Sequence, residues 1–214
     1  MNLMKKSLIL VLISVFIFSA CGKKTSTNID PLKNKIEDNQ PVEFNPTEKP
    51  NISLIPREDA HELKLKISNI ASDIARIEYE LIYKAQSEGS EIEKGVGDTL
   101  KDLQKSIEKD LLLGTASCTN GCKYKYDEGV TGGSLNLILI NSKNQTYSME
   151  MPFVLKKYSD FKKTNTISLP DDDFSAKITP QKGRVYLMIK GDKNYSLFTN
   201  LGLDKEYPIS SQSQ

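Results

Sequence analysis

The sequence is poor in the residues and motifs on which most enzymes depend. Its 214 residues include one histidine, no tryptophan and three cysteines, and 29 basic side chains nearly balance 28 acidic ones, for a formal net charge of +1. It contains no Gly-x-Ser-x-Gly, Gly-x-x-x-x-Gly-Lys or His-Glu-x-x-His motif, which excludes the active-site elements that those motifs build. The balanced charge provides no overall field to attract nucleic acid. Carboxylate-only chemistry stays open, because a pair of acids is defined by its separation in space.

The first twenty residues have the form of an export signal. Two lysines precede an eleven-residue, mainly apolar run at 8–18, which is too short for a transmembrane helix of about 20 residues. The sequence Phe18-Ser19-Ala20-Cys21 at its end resembles the lipobox of bacterial lipoproteins. This resemblance implies that residues 1–20 are removed and that lipid on Cys21 anchors the protein at the cell membrane or cell surface, outside the cytoplasm. The alternative is an ordinary secretory signal in which the cysteine occurs by chance.

A polar segment separates this signal from the rest of the chain. Residues 21–56 contain five prolines and no sustained apolar period, so they cannot bury enough surface to offset the entropy lost on ordering. We predict a disordered tether there. We expect a main β domain at 57–157, further strands at 158–208 that complete or pack on it, and a flexible tail at 209–214.

Beyond the tether, apolar residues alternate with polar ones at the period of half-buried β-strands. Leu63, Leu65 and Ile67 form one such series, and residues 77–83 form another. Further strands are predicted at 91–96, 107–113, 123–126, 134–140, 146–155, 166–169, 174–178, 184–189 and 195–198. Many short strands separated by turn residues indicate a mainly β fold, an antiparallel sandwich.

One segment has a helical rather than a strand pattern. Leu100, Leu103, Ile107 and Leu111 recur at intervals of three or four residues, as on one face of a helix. This spacing predicts a helical turn or two at 99–105, followed by a strand.

Several short stretches carry a resemblance to a known group of proteins. They are Ile77-Glu-Tyr-Glu-Leu, Leu113-Gly-Thr, the cysteine pair near 120, and Asp127-Glu-Gly-Val. Residues 62–203 resemble the uncharacterised Ig-like β-sandwich ectodomains of predicted lipoproteins from uncultured, small-genome bacteria. The resemblance implies an Ig-like sandwich, and it brings no activity and no catalytic residues.

Cys118 and Cys122 flank a turn-forming Thr-Asn-Gly tripeptide. With Cys21 lipidated, the remaining cysteines are even in number and lie in an oxidising compartment, so we predict a disulfide that stiffens a hairpin tip. A zinc site would need further ligands, and the one histidine, His61, is far away in sequence. A redox pair would have two intervening residues rather than three. We expect no metal and no cofactor.

Three consecutive acids, Asp171, Asp172 and Asp173, follow a proline. Carboxylate-rich turns can hold Ca²⁺, which needs six to eight oxygen ligands. This run lacks the spaced ligands and the glycine of an EF-hand loop, so a solvated turn is the favoured interpretation. A calcium site is the weaker alternative.

Tyrosine is frequent, and its positions admit two interpretations. Tyrosine favours strands and it also favours interfaces, so both core packing and binding stay open. The residues concerned are Tyr124, Tyr126, Tyr158, Tyr186, Tyr195 and Tyr207.

These observations favour a non-catalytic module. We expect a membrane-anchored envelope lipoprotein, with a binding or structural role, that contacts another envelope protein or a glycan through loops or a sheet edge and does not bind nucleic acid. The alternative is an envelope hydrolase, for example one directed at glycans, that acts through carboxylates. Such an enzyme would need a cleft with two converging acids.

Overall fold

The computed structural model describes residues 42–161 and 164–209. The predicted signal, Cys21, residues 21–41 of the predicted tether and residues 210–214 of the predicted tail lie outside these ranges. The strands are β1 (Asn51–Pro56), β2 (Glu62–Ser68), β3 (Ile74–Ser87), β4 (Ser90–Leu100), β5 (Ser106–Leu112), β6 (Gly114–Cys118), β7 (Cys122–Tyr126), β8 (Gly132–Asn141), β9 (Thr146–Lys157), β10 (Thr166–Ser168), β11 (Ser175–Lys177), β12 (Val185–Lys190), β13 (Asn194–Thr199) and β14 (Gly202–Pro208). A 3₁₀ turn at Tyr158–Phe161 follows β9. In these ranges, no helix has the length and apolar character required to cross a membrane.

Two antiparallel sheets pack face to face and confirm the predicted mainly β sandwich. One has seven strands in the order β14-β13-β12-β9-β8-β3-β4, and the other has three in the order β1-β2-β5. Along β3, Ile77, Tyr79 and Leu81 are buried while Glu78 and Glu80 are more exposed, because successive side chains point to opposite faces. The inward residues of both sheets form one apolar core, which supplies most of the driving force for folding.

The C-terminal strands both complete the sandwich and pack on it. Strands β12, β13 and β14 extend the seven-stranded sheet, whereas β10 and β11 form a separate hairpin. This hairpin, which we call the covering hairpin, places Ile167 and Ala176 against Met188 and Leu197 on the outer face of the sheet. Strand β12 therefore has five consecutive buried residues, Val185 to Ile189, because both of its faces are covered.

The structure corrects the C-terminal boundary of the predicted tether. Residues 51–56, assigned to the tether, form β1 in register with β2, and Leu54 is fully buried. Pro50 precedes this strand and Pro56 is its last residue, and β1 lies at a sheet edge, where proline is tolerated.

The predicted helical turn at 99–105 is wrong. Strand β4 continues to Leu100, residues 101–105 are irregular, and β5 begins at Ser106. Ile107 and Leu111 do share a face, but it is the face of a strand, since residues four apart lie on the same side in both kinds of element. Asp102 has a φ of 54°, which turns the chain from one sheet to the other.

The first described residues pack at one end of the sandwich. The Phe44 amide donates to the Thr146 carbonyl, Thr47 donates to the Asp73 carboxylate, and Lys49 pairs with Asp192. These partners lie before β3, at the start of β9 and between β12 and β13. Antiparallel pairing brings all three to the same end, which we call the proximal end. The distal end is about 40 Å away, the length of the twelve-residue strand β9.

Candidate functional site: an aromatic strip at the distal end

The β6–β7 hairpin stands apart from both main sheets. It forms its own two-stranded sheet, and all ten of its strand residues are exposed except Gly114, which is half-buried. It continues directly from β5, whose last residue pairs with Glu62. The Asp127 amide donates to the Leu113 carbonyl at 2.9 Å and closes the base. We call this element the aromatic hairpin.

A disulfide joins Cys118 and Cys122 at the tip of the aromatic hairpin, as the sequence predicted. The two cysteines are directly opposite each other in the strand register. Gly121, in the turn between them, has a φ of 92°, a conformation that glycine adopts without steric cost. The crosslink therefore restrains a tight turn that has no support from the core.

Two exposed tyrosine rings lie on one face of this hairpin. Tyr124 is opposite Ala116, and Tyr126 is opposite Gly114, so neither ring has a large cross-strand neighbour. Their exposed fractions are 56% and 38%. The ring planes are parallel within 4°, and the centroids are 6.2 Å apart.

The opposite face of the aromatic hairpin is cationic. Lys123 and Lys125 alternate with the tyrosines along β7 and are exposed, so they point to the other side. Residues 114–126 contain no acid. Positive charge is therefore concentrated on the aromatic hairpin, although the overall charge of the protein is balanced.

The β1–β2 turn extends the tyrosine face. The His61 ring stacks on Tyr126 with centroids 4.3 Å apart and planes within 11°, and the Arg57 guanidinium lies 5.7 Å from the Tyr126 ring. Asp59 accepts hydrogen bonds from Arg57 Nε at 2.8 Å and the His61 amide at 3.0 Å. These bonds lower the pKa of Asp59 to about 2, and the bond from the Arg57 guanidinium contributes most. Burial acts in the opposite direction. We call Tyr124, Tyr126 and His61 the aromatic strip.

Sequence reasoning did not place His61 in this site. The spacing of Tyr124 and Tyr126 puts both on one strand face, but His61 is more than sixty residues away along the chain. The β2–β5 pairing brings it close, and the His61 carbonyl accepts the Leu113 amide at 2.9 Å. Local periodicity contains no signal for such a contact.

Asp127 anchors the base of the aromatic hairpin to the seven-stranded sheet. Its carboxylate accepts hydrogen bonds from the Tyr83 hydroxyl at 2.7 Å and from Lys94 Nζ at 2.6 Å, and its side chain is 11% exposed. Burial by itself would raise the pKa of Asp127, but the bonds from Lys94 and Tyr83 outweigh it and lower that pKa. Burial and the neighbouring carboxylate raise the pKa of Tyr83, so it stays a neutral donor.

A cleft of about 430 Å³ adjoins the aromatic strip, and His61 forms part of its wall. Three acids line it: Asp127, Glu128 and Asp160. Asp127 is the anchor described above. Asp160 accepts a hydrogen bond from the Lys157 amide at 2.7 Å, so it caps the 3₁₀ turn. Two of the three acids thus have structural roles.

The Asp171, Asp172 and Asp173 side chains diverge. Asp172 turns inward and accepts hydrogen bonds from Lys190 Nζ at 2.8 Å and the Tyr195 hydroxyl at 2.9 Å, while its two neighbours are exposed. Hydrogen bonding to Lys190 is the main cause that lowers the pKa of Asp172. Within 42–161 and 164–209, no three His, Cys, Asp or Glu side chains are grouped to hold a metal ion. The calcium alternative stays a prediction.

Tyrosines occupy both kinds of environment that the sequence left open. Tyr186 and Tyr195 are buried in the core beneath the covering hairpin, whereas Tyr124, Tyr126 and Tyr158 are exposed. The exposed rings are the ones available for binding.

No family model, no curated protein and no solved structure matches this chain.

Proposed function

We propose that the protein is a lipid-anchored, non-catalytic binding module of the bacterial cell envelope, and that the aromatic strip binds glycan. One observation carries the proposal: two parallel, exposed tyrosine rings lie on a hairpin that is not part of the core. Large exposed aromatic side chains on a soluble surface mark interaction sites. The hairpin adds little to the sandwich, so its role is at the surface.

The position of the strip suits a tethered binder. The chain joins the body at the proximal end, and the aromatic hairpin projects from the distal end. If Cys21 carries lipid, the proximal end is the one connected to the membrane. The aromatic strip would then face away from the bilayer, where envelope polymers are accessible.

The chemistry of the strip favours a sugar ring as its ligand. An aromatic face is negatively polarised, and it complements the C–H groups that one side of a pyranose presents. Tyrosine offers this area at a low cost in side-chain entropy. Arg57 and His61 at the inner end supply polar groups for sugar hydroxyls. Lys123 and Lys125 lie on the other face of the hairpin, and their positive field favours a glycan that carries negative charge.

The same region gives less support to a hydrolase. A carboxylate enzyme needs one acid to donate a proton and a second to act as base or nucleophile. Asp127 is ionised and bonded to Tyr83 and Lys94, and Asp160 caps the 3₁₀ turn. Glu128 is the acid in the cleft that remains to be tested for catalysis.

Binding is tested by sedimentation of the full-length protein, purified in mild non-ionic detergent, with insoluble cell-wall glycan. We expect Y124A/Y126A to reduce the bound fraction at least tenfold. Y158A is the matched control, because Tyr158 is 47% exposed but lies off the hairpin, and we expect it to bind like the wild type. Equal sedimentation of all three proteins would contradict the proposal.

The same reaction mixtures distinguish binding from catalysis. A binding module leaves the glycan insoluble, whereas a hydrolase releases soluble sugar over time. Release by the wild type that is lost in E128Q would replace the binding proposal with the hydrolase alternative.

Anchoring is tested separately by replacing Cys21 with serine. We expect the wild type to incorporate labelled palmitate and to stay in the membrane fraction at high salt. C21S should incorporate no label. Labelling of C21S as strong as that of the wild type would contradict lipidation at this residue.

A further inference from the structure

A second concave surface lies on the outer face of the seven-stranded sheet. It occupies the space between the end of the covering hairpin and the edge strand β14, and its volume is about 480 Å³. Its walls come from Lys177 and the residues after it, from the loop before β12, and from β14. We call it the cationic cleft. It shares no residue with the aromatic strip.

Three cations line this cleft against one carboxylate. They are Lys177, Arg184 and Lys205, and the acid is Asp204. Ten ion pairs of lysine or arginine with a carboxylate occur among the described residues, and none involves any of these three cations. The cleft thus holds an excess of two positive charges that no carboxylate of the described chain pairs with directly.

The wall that carries Arg184 is ordered by its own hydrogen bonds. The Arg184 amide donates to the Gln181 carbonyl at 3.2 Å, and the Arg184 carbonyl accepts a hydrogen bond from the Tyr158 amide at 3.1 Å. The Gln181 amide donates to the Tyr186 hydroxyl at 2.9 Å. The backbone on both sides of the arginine is therefore fixed, and Arg184, which is half-buried, lines the cleft.

The opposite wall is formed by β14. Lys205 lies 4.9 Å from the centroid of the Tyr207 ring, a cation–π contact that orients the ammonium group. Tyr207 is half-buried, and burial, with a smaller contribution from Asp204, raises its pKa. It stays a neutral hydroxyl donor beside the cations.

We propose that the cationic cleft binds a phosphate-bearing ligand. A phosphate monoester carries a charge of about −1.5 to −2 at pH 7, which balances the excess of two positive charges. The planar guanidinium of arginine binds phosphate oxygens through two parallel hydrogen bonds, and lysine adds a mobile point charge. The volume suits a small molecule or a head group. A lipid head group and a soluble phosphate compound share this chemistry.

The test is calorimetric titration of the full-length protein in non-ionic detergent with inorganic phosphate, and with succinate as a carboxylate dianion. We expect phosphate to bind more tightly than succinate, and R184Q and K205Q each to weaken it at least fivefold. K182Q is the matched control, because Lys182 is a neighbouring exposed cation that does not line the cleft. Circular dichroism melting checks that each variant is folded.

The same titration, repeated with mixed micelles, identifies the source of the phosphate group. Micelles with phosphatidic acid, a lipid phosphate monoester, are compared with micelles that hold only phosphatidylcholine. Binding of free phosphate alone supports a soluble ligand, and binding of phosphatidic acid that is lost in R184Q supports a head group. The proposal is overturned if neither binds, if succinate binds as tightly, or if K182Q weakens binding as much as R184Q.

Discussion

Two hairpins lie outside the main sheets, and they differ in what lies beneath them. The covering hairpin packs Ile167, fully buried, against the seven-stranded sheet, and its neighbour Phe174 stacks on Tyr195 at 4.2 Å. The aromatic hairpin has no such support, and Tyr124 and Tyr126 stack only along their own strand and on His61. Aromatic content therefore does not decide whether a hairpin serves stability or binding. The surface beneath it does.

The two hairpins are nevertheless fastened in the same way. Each has an aspartate at its loop or base that accepts hydrogen bonds from one lysine and one tyrosine of the seven-stranded sheet. The groups are Asp172 with Lys190 and Tyr195, and Asp127 with Lys94 and Tyr83. Both aspartate side chains are 11% exposed. The same kind of anchor positions each hairpin. The two hairpins differ in how much of their apolar surface is buried, and this difference separates a role in stability from a role in binding.

The largest expected loss of stability comes from removing the apolar contact between the covering hairpin and the seven-stranded sheet. Ile167→Ala removes fully buried methyl groups and leaves a cavity, so we expect the free energy of unfolding to fall by about 2–5 kcal/mol. Urea denaturation of the full-length protein in mild detergent measures it.

The matched change on the aromatic hairpin is Tyr124→Ala. This ring is more than half exposed, and substitutions at such sites usually change stability by about 0.5 kcal/mol or less. If Y124A destabilised the protein as much as I167A, the aromatic hairpin would belong to the core.

An intermediate effect is expected from the anchors. Asp172→Asn removes the ionised acceptor of Lys190 and Tyr195, and we expect a loss of about 1–2 kcal/mol at pH 7, moderated by the partial exposure of Lys190. The folded-state pKa of Asp172 is below its ordinary value of 3.8. Its contribution is therefore complete above that value and is lost as the pH falls through the folded pKa. Urea denaturation from pH 7 to pH 2 should show the difference between the two proteins shrink once the pH falls below 3.8.

Asp127→Asn tests the same dependence on an ionised carboxylate at the aromatic hairpin. Its pKa is also lowered, so we expect the same convergence in acid. Unlike D172N, it should raise hydrogen exchange across residues 114–126 and weaken glycan sedimentation, because Asp127 positions the aromatic hairpin. A constant difference from wild type across the pH range would show that neither ionised carboxylate stabilises the fold.

Periodicity predicted the strands with one buried face and missed those without a clear pattern. Strand β3 alternates over ten residues, 77–86, and β8 and β9 alternate over six each, at 134–139 and 148–153, which fixes both their type and their inward side. Strand β14 is exposed at five of its seven positions and lies at a sheet edge. Since it buries little, its sequence is under little constraint to alternate.

The candidate sites were less predictable than the strands. The cysteine pair and the i, i+2 spacing of Tyr124 and Tyr126 are local, so the tip and the ring pair could be predicted. His61 joins the aromatic strip through β2–β5 pairing, and the cations of the cationic cleft come from β11, the loop before β12, and β14. Such constellations depend on strand order, which local patterns do not specify.

The smallest effect on global stability is expected from the disulfide. The loop between Cys118 and Cys122 is so short that its closure is worth about 2 kcal/mol at most, and the hairpin it closes buries almost nothing. We expect C118S/C122S to change the global free energy of unfolding by less than about 0.5 kcal/mol, while hydrogen exchange at 114–126 rises and glycan binding weakens severalfold. Alkylation of the unreduced wild type, followed by mass measurement, should add no label at these cysteines. A global loss as large as that of I167A would show that the aromatic hairpin folds as part of the core. A loss of binding without a global loss would show that it is a stiffened platform held out from a stable body.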